Sequence, residues 1–270
     1  MDLGLKGRAC AVTGASRGIG RETARMLCGE GAGVLLVARS SDALGEATEE
    51  CASAGADAQG SAVPLALDVT DPGAGERIVT EARKRFGQLD VLVNNAGTAR
   101  RRDLEDVPDE DWQAAWELNV MAPLRAMRAA VPGMVERGWG RVVNVSSSAG
   151  KRPSVETSEY SVAKAAELSL SRVFADRYAD DGVLVNAVCP GPTRSELWME
   201  EGGLAEQARE RSGASTTDEV LETVGASRPV GRFAEVGEIA GAIVFLCSER
   251  ASYVAGAAWS VDGGSVQVII

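Results

Sequence analysis

The stretch RACAVTGASRGIG, residues 8–20, decides the fold. RACAVT (8–13) is a short apolar run suited to a buried strand. TGASRGIG (13–20) follows it directly as a glycine-rich turn and opens a helix from about Gly18 to Glu30. Gly14, Gly18 and Gly20 permit a tight turn and a close approach of backbone to a ligand. The helix N-terminus then offers free N–H groups and the positive end of its dipole to a pyrophosphate. A glycine turn alone says little; the strand before it and the helix after it are the context that gives the motif meaning.

The same alternation continues outward. Strands are expected at 33–38, 62–69, 89–95, 141–147, 183–188 and near 257–261. Helices are expected at 41–54, 72–86, about 109–131, 158–180 and about 235–248. Near-continuous Val/Ile/Leu strands alternating with amphipathic helices predict an α/β fold: a doubly wound, mainly parallel, seven-stranded sheet with helices on both faces. No linker or repeat divides residues 1–270, so one domain is expected. The segment 192–230 breaks the rhythm. It is long, polar and glycine-rich, carries helical patterns at 197–211 and 217–224, and reads as a lid.

Two arginines bear on the ligand. Arg17 lies inside the glycine turn and Arg39 ends the second strand, in VARSS. A dinucleotide with a plain ribose wants a carboxylate near that strand end for its 2′-hydroxyl. None stands there, although Asp42 lies close enough in sequence to reach back. An arginine pair suits the 2′-phosphate of NADP(H), which is expected over NAD(H).

The chain contains no histidine, the usual acid–base group near neutral pH. In the run YSVAK, Tyr160 and Lys164 stand four residues apart and share a helix face. At ~4 Å and an effective dielectric of ~20, an ammonium stabilises a phenolate by roughly 4 kcal/mol. Such a pair equips a phenol to donate and recover a proton.

The net charge of -11 disfavours nucleic-acid binding. No apolar stretch reaches the ~18 residues of a membrane span. The five cysteines are scattered and, without histidine, assemble no usual zinc site, so no metal is expected. They read as core residues in a reducing compartment. MDLGLKGRACAVTG has no apolar signal segment, and a cytoplasmic location is expected.

Taken together, TGASRGIG (13–20), NNAG (94–97), Asn119 of WELNV, VNVSSSAG (143–150), YSVAK (160–164), PGPT (190–193) and VDGG (261–264) resemble the short-chain dehydrogenase/reductase family, in its single-domain branch with a Rossmann fold. The likeness covers nearly the whole chain and extends to 3-oxoacyl-[acyl-carrier-protein] reductases. It implies Tyr160 as proton donor to a carbonyl, Lys164 as its modulator and ribose ligand, and Asn119 as holder of a water on a proton path. It also implies a serine that bonds the substrate oxygen. Ser146, Ser147 and Ser148 compete, and the family's thirteen-residue separation from the tyrosine selects Ser147. Alternation along a strand turns Ser146 to the opposite face.

The resemblance further implies cofactor contacts from Gly14, Ser16, Arg17, Gly18, Ile19, Gly20 and Arg39. Asp68 and Val69 would meet the adenine, Asn95, Ala96 and Gly97 the adenosine side, and Pro190, Gly191 and Thr193 the carboxamide and pyrophosphate. The lid from Pro190 to Arg232 is longer than in the simplest acyl-carrier ketone reductases. Leu197, Trp198, Met199 and Leu204 are candidate pocket walls, with residues 151–159 as the opposite rim. Lys151, Arg152 and Arg100 to Arg102 flank the expected cleft mouth, where they could meet the phosphate of a carrier-bound thioester. The expected activity is NADPH-dependent ketone reduction. The alternatives are an NAD(P)-linked sugar, polyol or 3-hydroxy-acid dehydrogenase and a non-catalytic nucleotide sensor. Apolar helix faces near Trp112 and Trp116, and the terminal VQVII, suggest a homotetramer or homodimer.

Overall fold

The computed structural model describes residues 2–267. Seven strands are formed: β1 (Ala9–Thr13), β2 (Gly33–Ala38), β3 (Ser61–Ala66), β4 (Val91–Asn94), β5 (Gly140–Val145), β6 (Val183–Pro190) and β7 (Ala258–Val261). They join in the order β3-β2-β1-β4-β5-β6-β7, and every pairing is parallel. The order reverses between β1 and β4, which opens a crevice at the carboxyl ends of those strands.

Strand alternation divides the core into two layers. On one face Cys10, Val12, Val34 and Leu36 pack against α1 (Gly18–Gly29), α2 (Ser41–Gly55) and α11 (Val236–Cys247). On the other, Ala11, Leu35 and Val37 meet α3 (Ala74–Phe86), α5 (Ala122–Glu136) and α7 (Ser158–Tyr178). Burial on both faces is why these strands read as unbroken apolar runs. No helix is long and apolar enough to cross a membrane among the described residues.

Several boundaries differ from the sequence reading. The third strand ends at Ala66, so Asp68 and Val69 stand beyond it in the loop. Pro64 is tolerated because β3 is an edge strand. Ser146 and Ser147 likewise lie past the end of β5. The helix expected over 109–131 is broken. It runs as α4 (Asp109–Trp116), a π-turn (Glu117–Met121) and then α5, which continues to Glu136. Pro123 has no N–H to give the Asn119 carbonyl, and the ladder slips to a bond from Ala122 N–H to Glu117 O. The pattern at 197–211 divides into α8 (Glu196–Met199) and α9 (Leu204–Ser212), because Gly202 takes φ +71° between them. Thr217–Ala226 forms α10. A short helix, α6 (Ser148–Lys151), follows β5. Residues 268–270, most of the terminal VQVII, lie outside the described residues.

Candidate active site

One cleft of about 1470 Å³ opens over the carboxyl ends of the strands. Its cofactor-side wall begins at the glycine turn. Gly20 allows that turn to close, since a Cβ there would stand 2.3 Å from Gly14 O and 2.4 Å from the Asn95 amide nitrogen. Asn95 staples the turn, its side-chain amide donating to Thr13 O (3.0 Å) and Gly14 O (3.2 Å). The Thr13 hydroxyl accepts from the backbone N–H of Asn95 and Ala96. Arg17 is the N-cap of α1, and no side chain caps the helix, so its first N–H groups face the cleft unsatisfied by a cap.

Gly14, Ser16, Arg17, Gly18, Ile19, Arg39, Asp68, Val69, Asn95, Ala96, Gly97, Pro190, Gly191 and Thr193 all line this cleft. Gly20 does not: it is buried behind the turn and acts through its lack of a side chain. Arg39 is exposed at the end of β2 beside Ser40. Asp68 accepts from Thr70 N (2.9 Å) and Thr70 Oγ1 (2.7 Å). Those bonds, and then the nearby Arg39 charge, hold its carboxyl below the ordinary range. Asp42 takes a bond from Ser41 Oγ and is not part of the lining. A phosphate-bearing dinucleotide fits this wall: uncapped N–H groups, two arginines and no carboxylate at the β2 end. Arg17 meanwhile forms an ion pair with Glu200, which follows α8.

Ser147, Tyr160 and Lys164 line the same cleft. Ser147 caps α6, its Oγ accepting from Ala149 N at 3.1 Å, which leaves its hydrogen available. Ser146 is committed elsewhere, donating to Lys164 O at 2.9 Å. Asn119 does not line the cleft. It is fully buried in the π-turn, with Nδ2 bonded to Ala115 O at 2.9 Å. Its Oδ1 is buried without a partner and lies, with Lys164 Nζ, against Gly97, where a Cβ would meet them at 3.2 and 3.6 Å.

The direct Tyr–Lys pair expected from YSVAK has a third member. Lys164 Nζ lies 5.8 Å from the Tyr160 ring centroid and donates to Val145 O (2.8 Å) and Glu167 Oε2 (2.9 Å). Both side chains of this ion pair are buried. Burial opposes the Lys164 charge, but the Glu167 carboxylate and then Tyr160 outweigh it and hold the ammonium above its ordinary value. Burial pushes the Glu167 carboxyl up to about 7, against the pull of Lys164. Glu167 escaped the sequence reading. Its signal was available: positions 160, 164 and 167 follow one helix face.

On the substrate side Leu197, Trp198 and Leu204 form walls, as do Arg152, Pro153, Ser154, Val155 and Thr157 of the opposite rim. Met199 points away and is exposed. Of the expected basic rim, Lys151 is turned onto the β7 edge, bonding Ala258 O and Ser260 Oγ. Arg102 pairs with Asp111, and Arg100 stands outside the lining. Cys189 is buried, and burial pushes its thiol up to about 11, as suits packing. No cluster of metal-ligating residues occurs among the described residues.

The comparisons with known proteins agree with this geometry. A family model described as enoyl-(acyl carrier protein) reductase matches residues 14–266. The D-beta-hydroxybutyrate dehydrogenase of Cupriavidus necator is 33% identical, covering 97% of this chain and 99% of its own. The 3-oxoacyl-[acyl-carrier-protein] reductase of Escherichia coli is 32% identical, covering 98% of this chain and 100% of its own. The crystal structure of L-sorbose reductase from Gluconobacter frateurii, complexed with NADPH and L-sorbose, is 36% identical, with a TM-score of 0.92 and full coverage of both chains. With its parallel sheet, glycine turn and Ser–Tyr–Lys wall, the chain belongs to the short-chain dehydrogenase/reductase family of NAD(P)-dependent oxidoreductases.

Proposed function

We propose that the chain reduces a ketone to a secondary alcohol with NADPH, the ketone being a 3-oxoacyl thioester or a related carbonyl. The observation that carries this reading is one cleft with Arg17, Arg39 and the glycine turn at one end and Ser147, Tyr160 and Lys164 on its wall. Bound NADPH supplies the hydride. Tyr160 donates its phenolic proton to the carbonyl oxygen, and Ser147 donates a second hydrogen bond to the same oxygen as negative charge grows there. Lys164 keeps a positive charge beside Tyr160 and holds the ribose. The orphaned Asn119 Oδ1, packed with Lys164 Nζ against Gly97, accepts from a water through which the proton is replaced. Two hydroxyl donors on one wall suit an oxygen-centred reaction better than reduction of a carbon–carbon double bond.

NADPH is preferred over NADH because Arg39 directly follows β2, where a ribose-binding carboxylate would otherwise stand. The second reading is a dehydrogenase of a sugar, polyol or 3-hydroxy acid, favoured by the likeness to L-sorbose reductase and D-beta-hydroxybutyrate dehydrogenase. The same wall serves oxidation. The buried free thiols suit the reducing cytoplasm, and we place the protein there as a homodimer or homotetramer.

Fluorescence titration of NADPH against NADH, followed by turnover on a small β-ketoacyl thioester, tests the reading. NADPH should bind more tightly, and Arg39→Asp should remove that preference. Tyr160→Phe should lower turnover by ~10²–10⁴-fold with NADPH binding retained. Tighter NADH binding would overturn the cofactor assignment. Full activity of Tyr160→Phe would overturn the mechanism.

A further inference from the structure

The substrate end of the cleft is lined by three guanidinium groups, from Arg101, Arg152 and Arg228. Among the described residues the only carboxylates in the lining, Asp68 and Glu196, belong to the cofactor end: Asp68 sits beside Arg39, and Glu196 Oε2 would stand 3.0 Å from a Cβ on Gly18. On a chain of net charge -11, this is a local reversal of sign.

The three arginines are unequally satisfied. Arg101 is paired with Glu156 and lies 5.4 Å from the Trp198 ring centroid, yet its Nε is buried without a partner. Among the described residues Arg152 reaches only Ser265 O, at 3.4 Å. Arg228 forms no ion pair or side-chain hydrogen bond among the described residues, and its Nε is also buried without a partner. Asp262 is the carboxylate nearest in effect to Arg228, but its oxygens accept from Gly264 N (3.0 Å) and Val266 N (2.9 Å). Burial, and then the charge of Arg152, hold the Arg228 guanidinium below its ordinary value, with Arg101 adding to the repulsion. Crowding like charges around half-buried, unmatched N–H donors is unfavourable unless an anion completes the set.

We propose that Arg152 and Arg228, with Arg101 behind them, form a subsite for an anionic group of the substrate, so that the substrate is a ketone bearing a remote carboxylate or phosphate. The proposal rests on the reductase reading and narrows its substrate class. Guanidinium forks match both anions in bidentate geometry. The cofactor's own phosphates are met at the opposite end, by Arg17, Arg39 and the α1 N-terminus. A neutral sugar leaves Arg152 and Arg228 without a carboxylate or phosphate partner.

Matched substrate pairs test it. Acetoacetyl-CoA is compared with the neutral acetoacetyl-N-acetylcysteamine thioester, and 5-ketogluconate with L-sorbose. In at least one pair kcat/KM should favour the anion by roughly ten- to hundredfold. That advantage should shrink with added salt and fall to near unity in the Arg152→Gln/Arg228→Gln double variant, with NADPH affinity reporting that the variant is folded. A preference confined to the CoA pair assigns the anion as phosphate; one confined to the keto acid assigns it as carboxylate. Equal kcat/KM within both pairs, or a preference the double variant retains, would overturn the subsite. Calorimetric titration of gluconate against sorbitol, and of CoA against N-acetylcysteamine, into the NADP-bound protein separates this from the reductase reading. Arginine-dependent binding of either anion without turnover would keep the subsite and sink the reductase. No turnover and no anion binding would sink both.

Discussion

At the scale of single residues, the proposed acid–base pair of Tyr160 and Lys164 has a third member in Glu167. Glu167 accepts from the Lys164 ammonium, so the field that Lys164 exerts on Tyr160 depends on whether Glu167 is ionised. Its folded-state value of about 7 lies above the ordinary carboxylate range because burial outweighs the pull of Lys164. The sign follows from linkage. The folded protein holds a proton on Glu167 that the unfolded chain releases near pH ~4.3, so this contribution is complete below that value and is lost as pH rises through about 7. The melting temperature of the parent protein should therefore fall, relative to Glu167→Gln, between pH 5 and pH 8. Differential scanning calorimetry across that range checks it, and parallel curves would show that Glu167 ionises as it does in water.

At the scale of elements, the strand–turn–helix unit from β1 to α1 is held by backbone proximity that only glycine permits. A Cβ on Gly20 would collide with Gly14 O, and the stapling Asn95 amide has no room to withdraw while it keeps Thr13 O and Gly14 O. Gly20→Ala should destabilise the fold by about 1–3 kcal/mol and weaken NADPH binding by opening the turn. Urea denaturation and cofactor titration read the two effects, and an unchanged NADPH affinity would mean that the turn tolerates the shift. The unit was legible because its strand, glycines and helix are contiguous. The π-turn was not read, though Pro123 signals it. Helical periodicity survives a single extra residue, and the missing N–H matters only once the Asn119 carbonyl is placed opposite it. The same holds for α8 and α9, where a run of polar residues conceals the break at Gly202.

At the scale of the whole molecule, Trp116 on α4 and Val162 and Val173 on α7 are exposed, 40%, 48% and 63% respectively. Val162 and Val173 fall on one helix face, eleven residues apart. Light scattering should give the mass of a dimer or tetramer of the 28.1 kDa chain, and Val173→Glu with Trp116→Glu should reduce it. A monomer from the parent protein would remove assembly from the account. The sequence by itself determined the parallel sheet and the glycine turn, because these depend on local periodicity or on a short contiguous motif; it offered Tyr160, Lys164 and Arg39 as candidates, and Ser147 through the spacing of the family it resembles. Only the tertiary structure decided what surrounds them. It withdrew Lys151 and Arg102 from the cleft, and brought in Arg228 from the far end of the segment 192–230 to line it with Arg101 and Arg152. It also buried Glu167 against Lys164. The direction and pairing of long charged side chains depend on which distant segments pack beside them, and residue order along the chain carries little of that information.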